Sequence, residues 1–166
     1  MKRSLLIILI SLMSAFIVNA QDDLRIAEIG TWGDAVNASV TYSHFIRDGL
    51  YIGYGAGATW NFSYPVSYPE NGTIGKTYHS RILVPVYANI RYYPNLKKIK
   101  PFLDFKGGLL SDYTHKEVGY FLRPALGYGI SKFDISLGFE YNNLKYSPLK
   151  SGDYLMRGYL GFSIKF

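Results

Sequence analysis

Leu50-Tyr51-Ile52-Gly53-Tyr54-Gly55-Ala56-Gly57-Ala58-Thr59-Trp60-Asn61-Phe62 alternates two kinds of residue. Leu50, Ile52, Tyr54, Trp60 and Phe62 share one face, against Tyr51, Gly53, Gly55, Gly57, Thr59 and Asn61 on the other. A period of two belongs to a strand with unlike faces, not to a helix. Side-chain volume then orients the strand. The interior of a small barrel is just wide enough to be filled by side chains, so the glycine face fits inside and the aromatic face does not. A glycine row turned to water would also weaken a strand for no packing reason.

The same period recurs at 36–46, 79–93, 101–111, 118–130, 133–142 and 154–166, with a weaker segment at 23–31. In the last of these, Tyr154, Met156, Leu160, Phe162, Ile164 and Phe166 oppose Arg157, Tyr159, Gly161, Ser163 and Lys165. With 50–62 the segments number eight, and they predict an all-β, eight-stranded antiparallel up-and-down transmembrane β-barrel. The weak segment is the first, where Glu28 interrupts Leu24, Ile26 and Ile29. Pro85 and Pro124 fall inside predicted strands, and bulges are the expected accommodation.

Alternate connections differ in character. Arg47-Asp48-Gly49, Pro94–Lys100 and the link at Ser131 are compact. The link Ser63–Tyr78 is long and holds Pro65, Pro69, Asn71-Gly72 and Gly75, so it is expected to be a loop; 112–117 and 147–153 are polar and of moderate length, and Gly33-Asp34 is short. A barrel crossing an outer membrane has its short turns on the periplasmic side. That puts both termini in the periplasm and the long link outside.

Lys2 and Arg3 precede the apolar stretch Leu5–Val18 and the small-x-small ending Val18-Asn19-Ala20, the pattern of a signal peptide cleaved after Ala20. The mature domain is then 21–166. A hydrophobic content of 48% with 18% charged and 17% aromatic residues argues against disorder. The formal net charge of +6, which includes Lys2 and Arg3, is too mild to imply nucleic acid. With no cysteine, disulfide scaffolds, Cys-ligated metals, thiol nucleophiles and a lipidated N-terminal cysteine are excluded.

With the glycine face inward, the strand charges point inward too. Arg81, Arg91, Asp104, Lys106, Arg123, Asp134, Glu140 and Arg157 would form a charge network in the lumen, where charges must be paired or hydrated. Hairpin geometry would set Arg91 opposite Asp104 and Arg123 opposite Glu140. Trp32, Tyr54, Trp60, Tyr92, Tyr128, Tyr141 and Tyr154 lie toward strand ends, as interfacial girdles require. Tyr64, Tyr68, Glu70 and Tyr78 would form an outer-loop surface for an extracellular protein or glycan partner.

The runs Leu83-Val84-Pro85-Val86-Tyr87-Ala88-Asn89-Ile90-Arg91-Tyr92-Tyr93, Lys100-Pro101-Phe102-Leu103-Asp104-Phe105-Lys106-Gly107-Gly108 and Leu122-Arg123-Pro124-Ala125-Leu126-Gly127-Tyr128 resemble the small outer-membrane β-barrel proteins of Bacteroidetes-type bacteria, with an OmpX/OmpA-like architecture. The resemblance covers nearly the whole mature chain. It implies a bacterial outer-membrane location, prolines where that family commonly has them, and a role for the terminal aromatic Phe166 as the assembly signal read by barrel-assembly machinery. Outer-membrane lipid, including lipopolysaccharide, is the surrounding partner. The family lends no catalytic residues and no cofactor.

Candidate chemistry is sparse. His79 adjoins Ser80, and Ser111, Asp112 and His115 lie together, but sequence adjacency does not make a hydrolase triad. The His-x-Ser-Asn motif of a lipid A deacylase is absent; the nearest stretch is Tyr141-Asn142-Asn143-Leu144. His44 is expected on the lipid face, and no spacing suggests a metal site. Lys97, Lys98 and Lys100 form a basic turn, either solvated or touching anionic headgroups. The expected role is non-enzymatic, structural or adhesive. Two alternatives stand beside it: a lipid A-modifying enzyme, and a soluble periplasmic barrel with its aromatic face around an apolar ligand.

Overall fold

The computed structural model describes residues 23–31, 35–70, 73–94, 100–114, 116–144 and 155–166. Its strands are β1 (Leu24–Thr31), β2 (Ala35–Arg47), β3 (Leu50–Glu70), β4 (Thr73–Tyr92), β5 (Pro101–Asp112), β6 (Glu117–Ile130), β7 (Phe133–Asn142) and β8 (Leu155–Lys165). Each pairs antiparallel with its neighbour in the chain, and β1 pairs with β8 from Ile26↔Lys165 to Thr31↔Leu160. The eight strands therefore close into a barrel. Closure removes the sheet edges that would otherwise expose unpaired backbone groups. The signal-peptide segment lies outside the described residues.

Where β1 begins and β8 ends, the two described turns are tight. Asp48 and Gly49 both take positive φ, 44° and 80°, the geometry of a type I′ turn, which Asp-Gly adopts readily. Ile46 is an extra residue beside it, since Phe45 pairs with Tyr51 and Arg47 with Leu50. Ser131 and Lys132 link Ile130 to Phe133, with Ser131 at φ 56°. We call this the turn end.

At the opposite end the structure departs from expectation. Ser63–Tyr78 is not a loop: β3 runs to Glu70, β4 starts at Thr73, and the two pair from Tyr64↔His79 to Glu70↔Thr73. Ladder pairing to β2 stops at Ala35↔Asn61 and to β5 at Leu83↔Asp112, so this stretch is a two-stranded ribbon rising beyond the barrel wall. Pro65 and Pro69 read as loop residues because proline cannot serve a central ladder. A ribbon edge with no further strand tolerates it.

The barrel prolines are also accommodated differently. No bulge occurs at either. On β3–β4 the pairs run from Ala56↔Val86 to Thr59↔Leu83, and on β6–β7 from Leu122↔Tyr141 to Ala125↔Gly138, with register kept across both gaps. Each proline remains paired on its other side, Pro85 with Leu110 and Pro124 with Phe105. The missing N–H thus opens a two-residue gap in one ladder and shifts nothing. The one bulge in β3 lies between Asn61 and Tyr64, where the ribbon leaves the wall.

Candidate functional site

Among the described residues, the interior gathers most of the charged side chains held out of solvent, and alternation puts them there. Inward positions on β1–β3 are mostly small or neutral: Ile26, Gly30, Ala35, Asn37, Ser39, Thr41, Ser43, Gly53, Gly55, Gly57, Thr59 and Asn61. Those on β4–β8 include Arg81, Tyr87, Arg91, Phe102, Asp104, Lys106, Phe121, Arg123, Asp134, Glu140 and Tyr159, all buried. Arg157 is partly buried and pairs with Glu140 across β7–β8.

The charges form two linked layers. Nearest the turn end, Arg91 donates from Nε to Asp104 Oδ1 at 2.8 Å and from Nη1 to Asp134 Oδ2 at 3.0 Å, while Lys165 Nζ donates to Asp134 Oδ1 at 2.7 Å. Asn89 adds a bond to Asp104 Oδ1 at 2.8 Å. In the next layer Glu28 is the hub. Its Oε1 accepts from Lys106 Nζ at 2.8 Å, Arg123 Nη2 at 2.8 Å and the Tyr159 hydroxyl at 2.6 Å. Arg91 Nη2 lies 3.9 Å from Glu28 Oε2 and joins the layers. Arg123 Nη1 also reaches to 3.9 Å from Glu140 Oε2.

Cations are seated on rings as well as on carboxylates. Arg123 lies over Tyr159 at 4.1 Å and Arg91 over Phe102 at 4.4 Å from the ring centroids. Such stacking is attractive when the cation is desolvated. Above these layers Leu83, Tyr87, Leu110, Phe121 and Leu144 pack together. Higher still, Arg81 Nε lies 3.4 Å from Asp112 Oδ2. Leu144 follows β7 and folds back over the lumen, 1% exposed.

Sequence reasoning named Arg91 with Asp104 and Arg123 with Glu140, and the structure brings both pairs together. It missed Glu28 and Leu144 as parts of the filling, and it placed Tyr159 and Lys165 on the inward face of the last strand without joining them to the network. Glu28 had a usable signal: it shares parity with Gly30, an inward marker, and Ile29 between them is 62% exposed. Tyr64, Tyr68 and Glu70 lie on β3 and Tyr78 on β4, along the ribbon rather than in a loop.

Two of the rim candidates face different ways and one is exposed. Asp112 is buried inward while Ser111, its neighbour on β5, belongs to the other face, and Ser80 is exposed. His79 pairs by backbone with Tyr64, and His115 lies outside the described residues, as do Trp32, Tyr154, Lys97 and Lys98. Among the described residues no cluster of three or more His, Cys, Asp or Glu could hold a metal ion. Tyr54, Trp60, Tyr92 and Tyr128 are exposed on the outer face, and Tyr141 partly so.

At the turn end, outside the wall, Asp23 accepts from the Tyr42 hydroxyl, and His44 Nδ1 lies 3.0 Å from its Oδ1. The Tyr42 bond, with help from His44 and Arg25, holds the Asp23 carboxyl below the ordinary carboxylate range against the cost of burial.

The outward faces carry the opposite chemistry from the interior. Ile29, Ile52, Trp60, Val86, Leu109, Leu126, Leu137, Phe139 and Phe162 are all exposed large apolar residues, drawn from every side of the ring. A polar, filled interior inside an apolar exterior is the reverse of a soluble barrel. The fold is that of a transmembrane β-barrel. The chain is similar to a designed transmembrane β-barrel, with TM-score 0.50 and 13% identity over 90% of this chain and 98% of that one. It is also similar to the N-terminal β-barrel domain of Pseudomonas aeruginosa OprF, with TM-score 0.48, 11% identity and coverage of 89% and 100%. For Neisserial surface protein A the values are 0.49, 14%, 87% and 94%. No protein-family model and no curated protein matches the chain. The alternative of an inward aromatic face around an apolar ligand does not hold, because charged and polar groups occupy that interior.

Proposed function

We propose that the chain is a non-enzymatic integral protein of a bacterial outer membrane, of the small Bacteroidetes-type barrel kind, which anchors in lipid and presents the β3–β4 ribbon at the cell surface. One observation carries this reading: large apolar side chains face outward around the closed ring while charges face inward. Backbone groups paired around a closed ring are what allow strands to cross lipid. The short turns support a periplasmic turn end, with N- and C-termini there and Phe166 serving the assembly machinery. Cleavage after Ala20 would leave Gln21 as the mature N-terminus.

The filled lumen favours a structural role over conduction. Glu28, Arg91, Lys106 and Arg123 cross the bore and leave it occupied. The ribbon offers an extracellular protein or glycan a scaffold on which the tyrosines of β3 and β4 are held by backbone pairing. An epitope tag inserted between Glu70 and Thr73 tests the arrangement. Antibody should bind it on intact cells, while a tag after Phe166 stays silent until the envelope is opened. A C-terminal tag that reacts on intact cells would overturn the orientation, and recovery in the soluble periplasm would overturn the membrane reading.

A further inference from the structure

The β3–β4 ribbon has two long edges, and backbone parity makes them unlike. On β4, Ile82 turns its peptide groups away from β3: Tyr113 N donates to Ile82 O at 2.9 Å, and Ile82 N donates to Thr114 Oγ1 at 3.1 Å. Peptide groups alternate in direction along a strand. Ile74, Lys76, Tyr78 and Ser80 therefore offer N–H and C=O on that same side, while Thr73, Gly75, Thr77 and His79 serve β3. The bulge between Asn61 and Tyr64 leaves this alternation intact, because its extra residue lies on β3. β5 pairs with β4 only from Leu83↔Asp112 onward, and among the described residues no strand pairs with that side of the ribbon.

The β3 edge is closed by proline. Pro85 removes a bond that faces β3 and leaves a gap in that ladder, whereas the ladder runs unbroken from Tyr64↔His79 to Glu70↔Thr73 across Pro65 and Pro69. Their missing N–H groups therefore belong to the outer edge of β3. Of the edge positions Pro65, Ser67 and Pro69, only Ser67 has an N–H to donate.

The β4 edge has no proline from Thr73 to Ser80. Its N–H and C=O groups recur about every 7 Å, a repeat that another extended polypeptide matches donor to acceptor. Lys76 is the one Lys, Arg, Asp or Glu in that stretch, and β4 as a whole contains no Asp or Glu. A lysine on an edge deters indiscriminate pairing. Opposite charges stabilise a cross-strand pair and like charges destabilise it. Two copies of this edge paired antiparallel about Lys76 would set the lysines opposite or diagonal to each other, with no acid on either strand to offset them.

We propose that the β4 edge from Ile74 to Ser80 binds an extended strand of a partner protein by backbone pairing, with an acidic residue of that strand opposite Lys76. This rests on the reading above that the ribbon stands at the cell surface, and it names the partner as a polypeptide strand.

The test uses the detergent-folded full chain and a synthetic probe, a blocked peptide of alternating valine and threonine with one central glutamate. Amide exchange read by NMR should slow about tenfold or more at Lys76 and Tyr78 when the peptide is added, and stay unchanged at Ser67. The same peptide with lysine in place of glutamate should bind roughly fivefold more weakly, and Lys76→Glu should reverse that order. Tyr78→Pro removes an edge N–H that β3 does not use, so the ribbon should persist, as it does with Pro65 and Pro69, and binding should be lost. No protection with either peptide, protection at Ser67 instead, or a Tyr78→Pro protein that keeps its ribbon and binds as before would overturn the site. Protection that grows with protein concentration alone would assign the edge to a second copy and overturn the partner. Peptide that protects the edge in detergent but does not label intact cells bearing the protein would uphold the site and overturn the outward presentation of the ribbon.

Discussion

The β1–β3 wall and the β4–β8 wall line the same lumen with unlike side chains. The first offers glycine, serine, threonine and asparagine; the second sends in rings, guanidinium groups and carboxylates. A bore this narrow cannot take large side chains from every direction. The small wall therefore works as a seat. A Cβ on Gly30 would lie 2.2 Å from Tyr159 Cζ, and one on Gly55 would lie 2.6 Å from the Tyr87 ring. Glu28 is the exception, the one charged inward residue of the small wall among the described residues, and the opposite wall's cations converge on it.

The sharpest way to break this division is to remove that exception. Glu28→Ala leaves Lys106 and Arg123 buried without their shared carboxylate, and losing one partner of a buried ion pair costs about 3–5 kcal/mol. The urea midpoint of the detergent-folded barrel should fall accordingly, and Glu28→Gln, which keeps an acceptor and the packing, should fall less. A seat is the next target. Gly30→Ala should cost about 1–3 kcal/mol by overpacking. Most of that cost should disappear when Gly30→Ala is made together with Tyr159→Ala, as a double-mutant cycle in urea would read.

Much of this division was legible in the sequence. The glycine row of β3 fixed which face is inside, and the compact links at Pro94–Lys100 and Ser131 set two hairpin registers closely enough to pair Arg91 with Asp104 and Arg123 with Glu140. Glu28 was not legible as a hub, because its partners come from β4, β5, β6 and β8 and meet only when the ring closes. Local pattern carries no information about contacts across a bore. The ribbon was misjudged for a related reason: Pro65 and Pro69 argue against a strand only where both edges are occupied, and edge occupancy is a property of the closed sheet. The gaps at Pro85 and Pro124 likewise depend on how firmly the surrounding register is held.

Two smaller effects lie at the turn end, outside the contrast between the walls, and set its background. Ser131 holds a positive φ that glycine adopts freely, so Ser131→Gly should raise stability by about 1 kcal/mol. A rise in the urea midpoint checks it. Asp23, held below its ordinary value of 3.8, contributes stability that is fully present above that pH and is lost as pH falls through its lower folded value. Acid should therefore loosen the start of β1 below about pH 4. Tyr42→Phe should remove most of this acid sensitivity, as amide exchange at the start of β1 would show.

The central claim, that polar groups face in and apolar groups face lipid, is tested most directly by gel mobility of the detergent-extracted outer-membrane fraction, unboiled against boiled. A protein found in that fraction with a mobility shift on boiling is the predicted result. A protein found in the soluble periplasm without detergent, and with no shift, would contradict the account.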